Sequence, residues 1–321
     1  MILITGAAGF IGSCMASYLN ESGREDLVLC DRFDREDKAG NYRNRKYYAR
    51  VERDQLFSWL AANPGVITCV IHLGARTDTT ETDPAIFELL NFEYSKNLWA
   101  YCTSAEIPFI YASSAATYGD GKQGFSDDPE RASLLKPMNP YGWSKHAFDQ
   151  WATEARDCPP LWVGLKFFNV YGPNEYHKGR MASVILHAYH QIKATGELKL
   201  FRSHRPEFGD GEQMRDFIYV KDVVNIIGYL TIYGKVSGIY NLGTGKARYF
   251  KDLGKQVFKS LNLEEKIRYI DTPVDIRESY QYYTEADMGR FFRDISSWDF
   301  YSLEDGADQY IREYLMLNRY Y

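Results

Sequence analysis

The first twelve residues, Met1-Ile-Leu-Ile-Thr-Gly-Ala-Ala-Gly-Phe-Ile-Gly12, decide the fold of this chain. Their apolar run at 1–4 predicts a short, buried parallel strand, and the helical spacing of apolar residues over 10–19 predicts a helix. Between these two elements, Gly6, Gly9 and Gly12 predict a tight turn. This order aims backbone N–H groups and a helix N-terminus at a pyrophosphate, so the stretch predicts a dinucleotide site. The alternative is a strand–helix junction without a ligand, because tight junctions also favour small residues.

A second apolar run, residues 27–30, ends at Asp31, which lies about 20 residues past the last glycine of the turn. An acid at this distance is expected to hold a ribose hydroxyl, and a solvated strand end is the alternative. The charged stretch 31–54 indicates a surface loop. Its Arg32, Lys38 and Arg53 would lie where the 2′-phosphate of NADP binds, whereas Asp31 favours NAD. We expect NADP and keep NAD as the alternative.

Strand and helix patterns alternate through the first half of the chain. Strands are predicted at 68–73, 108–114 and 161–168, and helices at 55–62, 86–105 and from about 141 onward. The alternation predicts an α/β fold: a doubly wound parallel sheet of the Rossmann type with a smaller, interleaved α/β substrate domain. We expect a dinucleotide-binding domain over 1–173, with returns near 216–241 and 281–292. The substrate domain is expected over 174–215, 242–280 and 293–321, ending in an amphipathic helix from 298 with Tyr320 and Tyr321 loose.

Composition excludes several classes of partner. The net charge of −5 gives no electrostatic footprint for nucleic acid or an anionic membrane. No apolar run approaches the ~18 residues that a membrane span needs. The five cysteines are scattered and most lie in apolar segments, which indicates buried free thiols in a reducing compartment. We therefore expect a cytoplasmic protein that binds neither nucleic acid nor membrane.

Residues 139–145, Asn-Pro-Tyr-Gly-Trp-Ser-Lys, place Tyr141 and Lys145 four apart on one face of a helix that starts after Pro140. A cation one turn away is expected to lower the pKa of the tyrosine from about 10, which would make it usable as a base. The pattern alone is weak, because the chain has 26 tyrosines. It gains weight from Ser113 and Ser114, which end a predicted buried strand and whose hydroxyls can hydrogen-bond a substrate alcohol.

Together these features resemble the extended short-chain dehydrogenase/reductase family. The resemblance rests on the glycine turn, on Tyr141 with Lys145, and on the segments 112–114, 168–173, 215–220 and 240–245. It implies a tightly held nicotinamide that oxidises and re-reduces a sugar carbon. Ala115 and Ala116 stand where the dehydratase branch has acidic residues, so elimination of water is not expected.

Segments 111–119, 169–183 and 280–287 resemble a narrower branch, the epimerases that invert C6 of the ADP-linked heptose used in the lipopolysaccharide inner core. This resemblance covers nearly the whole chain and implies that Lys178 is a second catalytic base. Two bases have a physical reason, because the hydroxyls of the two epimers lie in different places and each needs its own proton acceptor. The implied catalytic set is Tyr141, Lys178, Lys145 and Ser114. Without the resemblance, Lys178 would be interpreted as a solvated loop lysine.

The resemblance also implies two sets of binding residues. The cofactor contacts are Gly6, Gly9, Phe10, Ile11, Gly12, Asp31, Arg32, Lys38, Arg53, Leu73, Gly74, Ala75, Arg76, Thr77, Asn91, Lys145, Val170 and Lys178. The substrate contacts are Ser114, Asn169, Arg180, His187, Phe201, Arg202, Ser203, His204, Arg215 and Tyr280. Arg215 suits a bidentate diphosphate clamp, with a surface ion pair to Asp216 or to a neighbouring residue as the alternative. His187 and His190 share a helix face, but no third ligand is spaced to join them, so no metal site is expected.

Other functions stay open at this point. A UDP-hexose 4-epimerase or a reductase of the same family is the nearest alternative, and a non-catalytic redox sensor on the same fold is the alternative from another class. The chain departs from better-known family members at 73–78, where Arg76 puts a cation beside the cofactor, at Arg53, where lysine is usual, and at 205–212. The family further suggests a homo-oligomer.

Overall fold

The computed structural model describes residues 1–277 and 281–321. Its strands are β1 (Ile2–Thr5), β2 (Leu27–Asp31), β3 (Ala49–Glu52), β4 (Cys69–His72), β5 (Phe109–Ser114), β6 (Trp162–Phe167), β7 (Asn169–Tyr171), β8 (Leu198–Phe201), β9 (Met214–Tyr219), β10 (Gly238–Leu242), β11 (Ala247–Tyr249) and β12 (Ile267–Ile270). Its α-helices are α1 (Phe10–Glu21), α2 (Ala39–Tyr42), α3 (Leu56–Ala62), α4 (Pro84–Phe87), α5 (Tyr94–Ser104), α6 (Pro140–Glu154), α7 (Val184–Thr195), α8 (Val220–Tyr233), α9 (Phe250–Ser260), α10 (Val274–Arg277), α11 (Gly289–Asp294) and α12 (Leu303–Gln309).

The centre of the molecule is a seven-stranded sheet in the order β10-β6-β5-β4-β1-β2-β3, and its neighbouring strands run parallel. Alternate residues of β1, β2, β4 and β5 enter separate apolar clusters. In β1, for example, Ile2 and Ile4 pack with residues of α1 and α8, whereas Leu3 packs with residues of α3, α5 and α6. Both faces are therefore covered by helices, as a buried parallel sheet requires. The predicted doubly wound α/β fold is confirmed.

The strand order reverses between β1 and β4, which creates a crevice at the carboxyl edge of the sheet. Ligands of doubly wound sheets bind outside this edge, at the reversal. The glycine turn follows β1 here, and Ser114 ends β5 two strands away. At about 4.8 Å per strand, roughly 10 Å separates the two strand ends.

The charged stretch 31–54 is more ordered than predicted. It contains α2 and ends in β3, which pairs in parallel with β2 from Val28↔Ala49 to Asp31↔Glu52. β3 is the edge strand, and Val51 is its buried residue, between the exposed Arg50 and Glu52. An edge strand needs few apolar side chains, so its charged sequence did not predict a strand.

Two smaller sheets follow in the second half of the chain, one of β11, β9 and β7 and one of β12 and β8. The segment after α12 continues as a π-helix, Tyr310–Leu315. The expectation that Tyr320 and Tyr321 are loose is wrong for Tyr321, which is only 8% exposed. Its backbone carbonyl accepts a hydrogen bond from Ser17 Oγ at 2.7 Å, and its hydroxyl donates to Glu21 at 2.8 Å.

The composition also led to expectations about the cysteine thiols and about membrane-spanning helices. Cys14, Cys30, Cys69 and Cys102 are buried free thiols, as predicted, and Cys158 is exposed. Within residues 1–277 and 281–321, the helices are too short or too polar to cross a membrane.

Candidate active site

The glycine turn between β1 and α1 is shaped by two close backbone approaches. Gly6 has a φ of +71°, a conformation that side chains rarely adopt, and a Cβ there would lie 2.6 Å from Gly74 N. A Cβ on Gly12 would lie 2.1 Å from Gly6 O, so α1 can start this close to the turn only with glycine. An internal hydrogen bond also stabilises the turn, because Gly9 N–H donates to Gly6 O at 2.9 Å.

Asp31 lies beside this turn and is held by backbone donors. Its Oδ2 accepts the Ala8 N–H at 2.9 Å and its Oδ1 accepts the Arg32 N–H at 2.7 Å. Lys38 Nζ lies 3.7 Å from Oδ1, with both side chains mostly buried. The other two predicted cations pair locally, Arg32 with Asp34 and Arg53 with Asp54. The structure thus brings Lys38 to Asp31, while the guanidinium groups of Arg32 and Arg53 contact acids beside them in sequence.

The loop after β4 carries the predicted cofactor contacts 73–77. Gly74 lies against the glycine turn, and its N–H donates to Thr5 Oγ1 at 3.2 Å. Asn91 is buried and fixes the loop: its Oδ1 accepts the Arg76 N–H at 2.8 Å, and its Nδ2 donates to Arg76 O at 3.0 Å and to Ser144 Oγ at 2.9 Å. Asn91 therefore joins this loop to α6. The Arg76 guanidinium contacts Glu81 at 3.0 Å.

Tyr141 and Lys145 lie in the first two turns of α6. Asn139 caps this helix by accepting the Gly142 N–H at 2.8 Å, and Pro140 occupies its first position. Tyr141 shares a hydrogen bond with Ser114, which follows from β5 ending beside the start of α6. The Lys145 ammonium donates to Ala112 O at 2.9 Å and is only 4% exposed. The structure brings these three predicted catalytic residues together.

The expectation that Lys145 lowers the pKa of Tyr141 is wrong. Burial is the largest influence and raises the pKa of Tyr141 above 10.0, with the Ser114 hydrogen bond opposing it and Asp149 adding to it. Burial also lowers the pKa of Lys145 from 10.5 to about 8, although the Asp149 carboxylate opposes this change. The sequence argument counted the nearby charge and left out desolvation, which here is the larger effect.

Sequence reasoning missed a buried polar network beneath these residues. The Asp149 carboxylate accepts hydrogen bonds from Tyr111 at 2.9 Å, from Ser113 at 2.6 Å and from Lys166 at 2.7 Å. Lys166 also donates to Thr117 Oγ1 at 2.8 Å. The spacing of Asp149, one turn after Lys145 on an amphipathic helix, was the available signal. The network joins β5, β6 and α6 directly below the Tyr141 site.

Lys178 lies in the loop between β7 and α7, and its amine is 5.2 Å from the centre of the Phe10 ring. The residue is half-buried, and its amine lies over the Phe10 ring. Burial lowers the pKa of Lys178, and the buried Glu175 carboxylate opposes this change. Phe10 is the first residue of α1, so the structure places Lys178 beside the glycine turn.

The predicted substrate contacts are more spread. Asn169 and His187 are exposed, and so is His190 on the same helix as His187. Arg180 contacts Asp78 at 3.3 Å. Arg202 lines a surface groove of about 440 Å³ together with Arg268 and Asp271.

The segment 201–204 is anchored on Tyr282, which is buried. The Tyr282 hydroxyl accepts the His204 N–H at 2.9 Å, shares a hydrogen bond with His204 Nδ1 at 2.9 Å, and lies 3.3 Å from Ser203 Oγ. The side chain of Tyr282 therefore packs against this segment. Phe201 ends β8 in the same segment. Tyr280 lies outside the described residues.

Arg215 does not pair with Asp216. Its guanidinium donates to Met214 O at 2.8 Å and to the Gln281 carbonyl, and it lies over the Phe250 ring. Asp216 is buried and instead accepts backbone hydrogen bonds from residues 244, 245 and 286. The ion-pair alternative for Arg215 is therefore wrong as far as Asp216 is concerned.

These residues fit a nicotinamide dinucleotide. Within the described part of the chain, the N-terminus of α1 has no side-chain cap and no acidic residue in its first turn. Its free N–H groups and helix dipole therefore suit a pyrophosphate. Lys145 Nζ, with one hydrogen donated to Ala112 O, has donors left for ribose hydroxyls. Residues 1–277 and 281–321 hold no group of three or more His, Cys, Asp or Glu side chains that suits a metal ion.

Comparison with known proteins agrees with this geometry. A profile of the NAD dependent epimerase/dehydratase family matches residues 2–243. The chain is 46% identical over 325 residues to an ADP-L-glycero-D-manno-heptose-6-epimerase from Fusobacterium nucleatum subsp. nucleatum, with 98% of each chain covered. It is 47% identical over 317 residues to a protein of the same name from Nitratidesulfovibrio vulgaris strain Hildenborough, again with 98% of each chain covered.

A solved structure gives the same result at lower sequence identity. The crystal structure of ADP-L-glycero-D-manno-heptose-6-epimerase from Helicobacter pylori superimposes with a TM-score of 0.82 at 29% identity. The match covers 97% of this chain and 95% of that one. The likeness therefore extends through both the central sheet and the smaller sheets.

Proposed function

This chain belongs to the NAD dependent epimerase/dehydratase family, and we propose that it interconverts ADP-D-glycero-D-manno-heptose and ADP-L-glycero-D-manno-heptose. The names of the full-length relatives support the substrate. The site supports the chemistry, because a tyrosine–serine pair and a separate lysine lie on two sides of a dinucleotide crevice. The reaction is an epimerisation at C6 through transient oxidation.

Epimerisation through a ketone sets clear demands on the protein. Hydride has to leave one face of the carbon and return to the other, and a bound nicotinamide supplies and accepts it. The protein has to place a proton acceptor near the hydroxyl of one epimer and a proton donor near that of the other. The two groups therefore have to lie apart, within reach of one carbon.

Tyr141, supported by Ser114, is the first proposed proton-transfer group. Ser114 orients the phenol through their shared hydrogen bond and can also polarise the substrate oxygen. Lys145 is proposed to hold ribose hydroxyls with the donors that Ala112 O does not use. The Asp149 network below fixes β5 and α6, and with them the relative positions of these side chains.

The placement of Lys178 is the observation that carries the proposal. Its half-buried amine lies 5.2 Å from the Phe10 ring centre, on the β1 side of the crevice, whereas Tyr141 lies at the β5 side. The strand ends are roughly 10 Å apart, which leaves room for a sugar carbinol between the two groups. Lys178 is thus the second proposed proton-transfer group.

We propose NADP as the nucleotide. Both oxygens of the Asp31 carboxylate already accept backbone N–H groups, and Lys38 lies 3.7 Å away. These partners leave Asp31 less capacity for a ribose 2′-hydroxyl, and Lys38 supplies positive charge for a 2′-phosphate. Arg32 and Arg53, which pair with Asp34 and Asp54, would exchange these partners for the phosphate. Mass spectrometry of the nucleotide that the purified protein retains tests this choice, and NAD as the retained form would refute it.

The remaining assignments are part of the same proposal. The substrate diphosphate and sugar would be held by Arg180, Arg215, Asn169, His187 and the segment 201–204. The dinucleotide-binding and substrate domains would divide the chain at the boundaries predicted from the sequence. The enzyme would work in the cytoplasm as a homo-oligomer that supplies heptose for lipopolysaccharide.

The direct test is conversion of each purified C6 epimer of ADP-heptose into the other, followed by chromatography or NMR, with UDP-hexoses as comparison substrates. Tyr141→Phe and Lys178→Met should each lower turnover by about 10²-fold or more and leave nucleotide content unchanged. The exposed Tyr48 and Lys122 offer matched controls, Tyr48→Phe and Lys122→Met. Failure of the wild-type protein to interconvert the epimers, or faster conversion of a UDP-hexose, would refute the proposal.

A further inference from the structure

The loop that carries Lys178, residues 172–183 between β7 and α7, is fixed by a buried asparagine. Asn174 is 0% exposed and has a φ of +73°. Its Oδ1 accepts the Tyr321 N–H at 2.9 Å, and its Nδ2 donates to Tyr321 O at 3.2 Å and to Ser13 Oγ at 3.0 Å. A single side chain therefore joins this loop to α1 and to a residue 147 positions later.

The backbone of Asn174 makes a second connection. Its carbonyl accepts a hydrogen bond from Asn41 Nδ2 at 3.1 Å, and the same amide group donates to Ala8 O at 2.9 Å. Asn41 is also buried. Through Asn41, the Lys178 loop is tied directly to the glycine turn.

Residues 319–321, here called the 319–321 segment, pack against the loop. The Tyr176 hydroxyl donates to Arg319 O at 2.7 Å, and the Tyr176 and Tyr320 rings lie 5.1 Å apart. Tyr321 is itself anchored on α1 by Ser17 and Glu21. The 319–321 segment is therefore anchored on α1.

We propose that Asn174, held by Tyr321, is a positioning residue that fixes the amine of Lys178 beside the cofactor site. Asn174 contacts Ser13 and Lys178 contacts Phe10, and these two α1 residues lie one helical turn apart. The loop thus meets α1 at two successive turns, so a shift at Asn174 moves Lys178 along the helix. The inference rests on the proposed function, because only a proton-transfer group needs its amine placed this closely.

The size of the effect follows from the sensitivity of proton transfer to distance. A misplacement of about 1 Å can cost about 10²-fold in rate. Loss of the Asn174 amide removes three hydrogen bonds. The loop is then still held by Asn41, by Tyr176 and by Glu175, whose carboxylate accepts hydrogen bonds from the Ser183 N–H and from Ser183 Oγ, both at 2.6 Å. We expect a loss of about 10- to 100-fold in the proton transfers that Lys178 performs and none in those of Tyr141.

Asn174→Gly is the informative substitution, because glycine adopts a positive φ without strain and only the amide is removed. Asn262→Gly is the matched control: Asn262 also has a positive φ, +54°, and is exposed just after α9. Hydrogen exchange measures the loop independently of catalysis. Exchange of the amides in 175–183 should be faster in Asn174→Gly and unchanged in Asn262→Gly.

The kinetic test mixes each C6 epimer separately with the protein and follows reduction of its bound nicotinamide by stopped-flow absorbance. Lys178→Met should abolish reduction by one epimer only, and this defines the Lys178-dependent epimer. Asn174→Gly should slow reduction by that same epimer about 10- to 100-fold and reduction by the other less than about twofold. If Asn174→Gly does not fold, Tyr176→Phe, which removes the bond to Arg319 O, should show the same asymmetry at about 2- to 5-fold.

The outcomes are distinct. Equal slowing with both epimers, or no slowing with either, would overturn the inference, as would unchanged exchange in 175–183. If wild-type protein is reduced by neither epimer, the proposed function itself fails. If the wild type reacts with both epimers but Lys178→Met shows no asymmetry, the role of Lys178 fails and the inference with it.

Discussion

Lys145→Met should change how the stability of the folded protein depends on pH. The Lys145 ammonium is 4% exposed, and burial lowers its pKa from 10.5 to about 8. The folded protein therefore binds fewer protons than the unfolded chain between these two values. Because the unfolded state binds the extra proton, the free energy of unfolding of the wild type rises as pH increases through this interval.

The expected magnitude follows from the interval itself. At about 1.36 kcal/mol per pH unit, the interval from about 8 to 10.5 corresponds to roughly 3 kcal/mol. Below about pH 8 the wild type carries this full penalty, and above about 10.5 it carries none. Methionine removes the titration, so the difference in stability, wild type minus Lys145→Met, should increase by up to about 3 kcal/mol across the interval.

Urea unfolding at a series of pH values measures this difference, and other titrating groups largely cancel because both proteins contain them. Lys122→Met, at an exposed lysine, controls for the loss of one positive charge. A difference that stays flat between about pH 8 and 10.5 would refute the reasoning. A fall above about pH 10.5 would show that the ammonium is stabilised by its surroundings and not desolvated.

Three further predictions concern other buried groups. In urea unfolding, Asp222→Asn should stabilise the protein by up to about 4 kcal/mol at about pH 8 and by little at about pH 4. Burial raises the pKa of Asp222 from 3.8 to about 7, so the penalty on its charged form appears as pH rises. Asp149→Asn should lower the free energy of unfolding by about 3–5 kcal/mol in the same assay, because it leaves Lys166 buried without its counter-charge. Adding Lys166→Met should recover part of that loss, and equal stability of the single and double variants would contradict this prediction. Gly12→Ala should sharply lower the nucleotide content measured by mass spectrometry, because its Cβ would lie 2.1 Å from Gly6 O.

The sequence predicted the parts of the molecule that local rules govern. The glycine turn, the parallel strands and α6 follow from periodicity and from Pro140, which favours the start of a helix. Ser114 was grouped with Tyr141 because it ends a predicted buried strand and its hydroxyl can hydrogen-bond a substrate alcohol. The edge strand β3 was not predicted, because its alternating charged residues resemble those of a solvated loop.

Long-range polar contacts were beyond the sequence. Asn174 and Tyr321 are 147 residues apart, and neither carries a local pattern that indicates burial. Asp149 on α6 resembled a solvated helix face, because nothing near it in the chain marks Lys166 as its partner. Desolvation was missed for the same reason, and this reversed the expected change in the pKa of Tyr141.

Burial acts in opposite directions on the two proposed proton-transfer groups. Burial disfavours the charged form of each group, which is the phenolate of Tyr141 and the ammonium of Lys178. It therefore raises the pKa of the Tyr141 phenol and lowers that of the Lys178 amine. Tyr141 is thereby favoured as a neutral proton donor, and Lys178 is brought closer to a neutral acceptor. Under the proposed function, an epimer whose hydroxyl faces Lys178 meets a base, and after the ketone turns, its oxygen meets an acid at Tyr141.

That turnover leaves the lysine with an added proton and the tyrosine without one, so a proton has to return before the next turnover in the same direction. Lys145 lies one helical turn from Tyr141, and with a pKa of about 8 it can give up and regain a proton near neutrality. The opposite direction starts from the protonated lysine and the phenolate, a state that burial disfavours on both groups. The two directions therefore start from different protonation states of Tyr141 and Lys178, and a rate averaged over both epimers would conceal the separate contributions of the two groups.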